Sequence, residues 1–255
     1  MNTTILPVDR IKPIGRAEAG QLATDENGRI LALLGSLSDD DWSAQTDCTG
    51  WDVRALAGHL LGAMENFGSV GSLMHIMRAA KKEARGGSFV DGMTAVQVRE
   101  RSGLSTVQLL ERMAVASPRS ARFRSRMPSP LRAMPMKQEL LSGATESWKM
   151  GYLLDVILTR DTWMHRVDIC RATGRDMVMT AEHDGRIVAH AVAEWAKRHG
   201  QPFTLELSGP VGGMFGSAAA TRDDLQPIKL DAVELCRIFS GRATGDGLLA
   251  QEVPF

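Results

Sequence analysis

Through most of residues 15–174 apolar side chains recur at helical spacing, and directly after Gly174 that period gives way to short strand-like runs separated by glycine. A helical stripe must be buried against other helices, whereas short strands need a sheet, so the change of period asks for two packing solutions in one chain. At 255 residues the chain also exceeds the usual size of a single hydrophobic core. The expected division is therefore residues 1–175 as a helical domain and residues 176–255 as a small α+β domain.

In the first part, Leu22, Ile30, Leu31, Leu33 and Leu34 predict a helix over residues 15–37. SDDDWSAQTDCTGW then collects turn and cap residues, and Thr49 or Gly50 can cap a long helix that starts near Trp51. Val53, Leu56, Ala57, Leu60, Leu61, Met64 and Phe67 form its stripe, with His59 near the edge; the pattern fades near Arg85, before Gly86 and Gly87. Residues 94–124 read as one or two helices, with Gly103 interrupting the first and Pro118 as a break or a first-turn proline. RMPSPLRAMP, with three prolines, reads as an extended connection over residues 125–136. A further long helix is expected from about Ser147, through Trp163, Met164 and Val167, to Thr173 and Gly174, where glycine suits a left-handed C-terminal cap.

In the second part, a helix is expected over residues 181–199 and a strand over 203–207, then a tight turn over 209–213. Strands over 214–218 and 227–231 and an amphipathic helix ending at Gly241 complete the α+β pattern.

Thirty Lys and Arg balance thirty Asp and Glu, so no global field draws the chain to polyanions. The most basic stretch, with Arg119, Arg122, Arg124, Arg126 and Arg132, has Phe123 as its sole aromatic, too little for base stacking, and reads as a solvated helix face and loop. Neither nucleic acid nor membrane is expected as a partner, because no apolar span has membrane length. Cys48, Cys170 and Cys236 are odd in number and far apart, which argues against a disulfide framework and for a reducing compartment. With no apolar core near the start long enough for a signal peptide, cytoplasmic residence is the expectation. Cys48 shows no partner base along the chain and reads as a small buried side chain.

Asp161 and His165 stand four apart on an expected helix, so a carboxylate and an imidazole emerge from one face and can reach a single divalent ion. His59, among apolar neighbours on another helix, is the candidate third ligand, and three protein ligands would leave a coordination position open, as in catalytic zinc sites. Spacing alone equally describes an ion pair or a surface hydrogen bond, and a histidine on an apolar face is commonly a satisfied core residue.

TGWDVRALAGHL at residues 49–60 resembles the tryptophan-led helix start that precedes the first metal histidine of the DinB-like, mycothiol-dependent maleylpyruvate isomerase family. DTWMHRVDICRATGR at residues 161–175 resembles that family's second metal motif, and SGPVGG, SGR and the closing VPF resemble its smaller, sterol-carrier-like domain. The resemblance implies an antiparallel four-helix bundle followed by a small α+β domain. It implies His59, Asp161 and His165 as ligands of a divalent metal, with zinc the first choice, and mycothiol as thiol cosubstrate. One departure is that compared members carry glutamate where this chain has Asp161, whose shorter arm reaches less far and leaves metal identity and affinity open.

By the same resemblance Arg242, in SGR, would pair with a substrate carboxylate; otherwise it neutralises Glu234 or Asp246. Asp168 would accept a hydrogen bond behind a ligand or bind substrate, or else pair with Arg171. The implied activity is isomerisation or thiol transfer on a small electrophilic, anionic substrate by thiolate addition and elimination. Two other readings stay open: a non-catalytic binding protein for a metal or small ligand, and a metal-dependent hydrolase on the same scaffold.

Overall fold

The computed structural model describes residues 4–217 and 226–255. The described chain is mostly helical with two small sheets, and it divides into two compact units. One comprises Gly15–Glu139 and Thr145–Asp176; the other comprises Met1–Ile14, Leu140–Ala144 and Met177–Phe255.

The larger unit is built from helices α1 (Arg16–Gly35), α2 (Val53–Asn66), α3 (Val70–Ala84), α4 (Phe89–Arg99), α5 (Thr106–Arg126), the single turn α6 (Ser129–Arg132), α7 (Met150–Tyr152) and α8 (Leu158–Thr173). α1 packs on α5 and α8, and α2 packs on α5, α4 and α8. Ile30, Leu34, Val53, Leu56, Leu60, Leu109 and Met113 interlock in the resulting core. α3 and α4 pair side by side.

Several local expectations are corrected. The helix expected from Trp51 begins two residues later, at Val53, because Asp52 rather than Thr49 or Gly50 is its cap: its Oδ1 accepts from the Ala55 amide at 2.7 Å. Nor does that helix run to Arg85. It stops at Asn66, and Ser69 caps a new helix, α3, by accepting from the Ser72 amide, so a local side-chain bond overrides the apolar period. α4 starts at Phe89, earlier than expected, with Ser88 as cap. Pro118 neither breaks nor begins a helix but lies inside α5; it forfeits one backbone bond while Met113, Ala116 and Ala121 keep the buried stripe continuous.

Residues 125–136 are not an extended connection, since α5 continues to Arg126 and α6 follows. Strands β2 (Pro135–Glu139) and β3 (Thr145–Lys149) then form an antiparallel hairpin, with Met136 opposite Trp148, so Ser147 lies in a strand rather than at a helix start. The helix begins at Met150 and passes through a π-helical segment, Leu153–Ile157, before α8. Arg124 departs from the solvated face expected for its stretch. It is buried, donating from Nε and Nη2 to the Leu154 carbonyl at 2.9 and 2.6 Å and from Nη2 to Thr159 Oγ1 at 2.8 Å. Burial pulls its pKa down to about 10, leaving it charged at neutral pH.

The second unit holds β1 (Leu6–Pro7), α9 (Arg186–His199), β4 (Thr204–Ser208), β5 (Gly213–Gly216), β6 (Ile228–Asp231) and α10 (Ala232–Phe239). The sheet order is β1-β5-β4-β6, with β4 antiparallel to β5 and parallel to β6. β1, not anticipated from sequence, runs parallel to β5 and brings the start of the chain into this unit. Trp195, wholly buried, packs against Phe203 and Phe239 and donates from Nε1 to the Leu248 carbonyl at 2.9 Å. The expected strand over 214–218 is observed as β5; Ala218 lies outside the described residues. The turn between β4 and β5 is glycine by necessity, since a Cβ at Gly212 would stand 2.2 Å from the Leu207 carbonyl oxygen.

Candidate functional site

α8 carries Asp161 and His165 one turn apart, and α2 carries His59 among its buried residues. The larger unit brings all three together. His165 Nε2 lies 3.3 Å from Asp161 Oδ1, and His59 Nε2 lies 3.6 Å from Asp161 Oδ2. The two imidazoles meet edge to face with centroids 5.1 Å apart. Both histidines are buried, whereas the Asp161 side chain keeps 26% exposure, so the cluster reaches solvent on its carboxylate side.

The opposite nitrogen of each imidazole is engaged. His59 Nδ1 is 2.8 Å from Gln97 Oε1, and His165 Nδ1 is 2.9 Å from Asp168 Oδ2. An amide oxygen and a carboxylate can only accept, so both Nδ1 atoms carry a proton, and both Nε2 atoms face Asp161. Asp168 is wholly buried and spends its charge on His165, while Arg171, its alternative partner by sequence, pairs with Asp47 at 3.2 Å.

Gln97 reaches His59 because α2 offers α4 a surface without side chains. A Cβ at Gly62 would stand 2.7 Å from the Gln97 Cβ, and one at Gly58 would be 3.6 Å from the Arg101 Cβ. α8 is clamped in turn through Arg166, whose Nε and Nη2 donate to the two oxygens of Glu26 on α1 at 2.8 and 3.1 Å, in a fully buried pair.

Charge inside the cluster is strongly coupled. Burial alone would raise the Asp161 carboxyl, but His165 and then His59 outweigh it and hold it well below the usual carboxylate range. For His165, burial works toward the neutral ring; Asp161, Asp168 and Cys48 overcome it and push the imidazole well above its ordinary value.

Cys48 is where reading along the chain falls short. Its Sγ lies 3.5 Å from Asp168 Oδ2 and 3.8 Å from His165 Nδ1, so it has a carboxylate partner more than a hundred residues away in sequence. Gln97 was not anticipated either, and no signal in its surroundings on α4 singles it out. Trp51 lies against the His59 ring with centroids 5.2 Å apart.

The donor atoms of His59, Asp161 and His165 all lie within 4.8 Å of one another, a separation that one cation can bridge. Bonds of 2.0–2.1 Å in a tetrahedron put neighbouring ligand atoms about 3.3 Å apart, close to the 3.3 and 3.6 Å contacts at Asp161. Cys48, His165 and Asp168 form a second set of similar spacing, but there the facing nitrogen already gives its proton to Asp168. Arg242 belongs to the other unit, just after α10; its amide donates to the Arg237 carbonyl at 2.8 Å, and it is Arg237 that pairs with Glu234.

The family model for the mycothiol maleylpyruvate isomerase N-terminal domain matches residues 23–170, a span that contains His59, Asp161 and His165. This chain belongs to that family. The fold is also similar to two crystal structures of the mycothiol-dependent maleylpyruvate isomerase, one of them a histidine-to-alanine variant. The TM-scores are 0.56 and 0.54 at 15% and 14% identity, with 94% of this chain and 93% of each of those chains covered. At that identity the likeness concerns fold. No curated protein sequence matches the chain. Among the described residues, no helix of this family member is long and apolar enough to cross a membrane.

Proposed function

We propose that this chain is a metal- and mycothiol-dependent isomerase or thiol transferase acting on a small, electrophilic, anionic substrate. The observation that carries the reading is the orientation of the two imidazoles: Gln97 and Asp168 occupy both Nδ1 atoms, so both Nε2 atoms face Asp161. That is how metal-binding histidines are commonly held, with the outer nitrogen fixed by an acceptor. In this reading α1, α2, α5 and α8 form the DinB-like four-helix bundle, and the second unit is the sterol-carrier-like domain.

His59, Asp161 and His165 would hold a divalent ion, zinc by preference, and three protein ligands would leave room for a small molecule. An ion bound there lowers the pKa of a thiol that reaches it, making thiolate available at neutral pH. Asp168 and Gln97 are positioning residues that keep the imidazoles in their ligating tautomers. Mycothiol would supply the thiolate, whose reversible addition to an activated double bond is the chemistry a maleylpyruvate-type cis-to-trans isomerisation needs. Arg242 pairs with a substrate carboxylate through its two-pronged guanidinium.

Elemental analysis after dialysis against metal-free buffer tests the ligand set. Wild type should retain about one zinc or similar ion per chain, and His59→Ala and His165→Ala should lose it. Turnover of a maleylpyruvate-like substrate should then require the thiol. A wild type that stays metal-free after reloading with zinc overturns the reading, and turnover by the metal form without thiol replaces it with hydrolysis.

A further inference from the structure

α8, which carries Asp161 and His165, is preceded by the π-helical segment Leu153–Ile157. At its end the Leu158 amide donates five residues back, to the Leu153 carbonyl, where an α-helix would send it four back to Leu154. The Leu154 carbonyl is thereby deprived of its α-helical donor in a buried setting, and a buried acceptor left unpaired is costly. Arg124 of α5 supplies donors instead, Nε at 2.9 Å and Nη2 at 2.6 Å, and Nη2 reaches on to Thr159 Oγ1 at 2.8 Å. One buried guanidinium thus spans residues 154 and 159, the five-residue step of the π turn. We propose, resting on the ligand set put forward above, that Arg124 is a positioning residue: by holding this turn it sets the rotation of α8 at which Asp161 and His165 face His59.

The link between the turn and the site is helical phase. Each residue advances an α-helix by about 100°, so a turn that takes in one extra residue shifts every side chain beyond it by that angle relative to those before it. Before the turn, Leu154 is fixed in a buried cluster with Phe67 and Met127. Beyond it, Asp161 and His165 need the phase that puts His59 Nε2 at 3.6 Å and His165 Nε2 at 3.3 Å from the Asp161 carboxylate. An uninterrupted α-helix cannot satisfy both ends, and the π turn does. Arg132 ties the same turn through Asp155, so loss of Arg124 should loosen the site without abolishing it.

Charge separates positioning from plain electrostatics. Arg124 and Asp161 attract one another through the interior. Deleting the guanidinium charge would by itself favour a cation at Asp161 and tighten metal binding. Positioning predicts weaker binding.

Full-length Arg124→Met, Arg124→Lys and Thr159→Val are compared with wild type by zinc–chelator competition. In the metal-free proteins, the nuclear Overhauser contact between the His59 and His165 rings, whose centroids are 5.1 Å apart, gives a second readout. Circular dichroism establishes that each variant is folded under the conditions used. Arg124→Met should weaken zinc binding roughly tenfold and lose most of the ring contact. Arg124→Lys, which keeps the charge and one donor group, should recover part of both, and Thr159→Val should weaken zinc binding about threefold. An Arg124→Met protein with the wild-type ring contact and unchanged or tighter zinc binding overturns the proposal, even if it is less stable. Should Arg124→Met fail to fold, Thr159→Val decides, and wild-type values in both readouts overturn it. A wild type that binds no zinc sinks the ligand set alone, because the ring contact in metal-free protein still tests the turn.

Discussion

His165 donates from Nδ1 to the wholly buried carboxylate of Asp168 over 2.9 Å, while its Nε2 stands 3.3 Å from Asp161. One imidazole thus joins two carboxylates of different kinds, one sealed in the core and one open to solvent. Removing the sealed one should act on the metal through the ring. Asp168→Asn is expected to lower zinc affinity by about 10- to 100-fold, measured by chelator competition, while His165→Ala abolishes it. An Asp168→Asn protein with wild-type affinity would remove Asp168 from the site.

Gly62 should be intolerant of even one methyl. A Cβ there meets the Gln97 Cβ at 2.7 Å, so Gly62→Ala must push α4 away and draw Gln97 from His59. Overpacking of this kind costs about 1–3 kcal/mol in a urea melt. The accompanying loss of zinc affinity distinguishes it from a change at Gly28, where a Cβ meets nothing within 4 Å.

The buried Arg166–Glu26 pair sets α8 against α1. Arg166→Met leaves Glu26 without this guanidinium in a dry interior and should cost about 3–5 kcal/mol by equilibrium unfolding. A loss under 1 kcal/mol would mean that water or another group takes over Glu26.

Asp41 and Arg175 give a pH signature away from the site. Hydrogen bonds from Arg175, at 2.6 Å, and from the Ser38 amide pull the Asp41 carboxyl from 3.8 to about 2. A folded pKa below the unfolded one means a contribution fully present above pH 3.8 and lost as the pH falls toward 2. The stability difference between wild type and Asp41→Asn should therefore be constant from pH 5 to 8 and shrink below about pH 4. A difference that grows on acidification would contradict the assignment.

Much of this architecture can be read along the chain. Leu22, Ile30 and Leu34 mark α1; Val53, Leu56 and Leu60 mark α2; Gly174, at a φ of 67°, closes α8. Helical period and a left-handed cap are local properties, set by residues within a few turns of one another. The breaks were harder to read. Ser69 caps α3 through a side-chain bond that competes with a still-apolar sequence, and Pro118 is carried through α5 by burial on its other face, so propensity and packing point in opposite directions there.

By itself the sequence determined the helical character of the larger unit, the mixed character of the second, and the pairing of Asp161 with His165 on one helical turn, because each follows from spacing within a single element. Only the tertiary structure decided that Gln97 reaches His59 across Gly62, that Asp168 turns to His165 instead of Arg171, and that Cys48 stands beside that carboxylate. These contacts join residues dozens to more than a hundred positions apart, or choose between equally spaced partners. The choice rests on which side chains are shut away from water together, and that is a property of the packed core rather than of any stretch of chain.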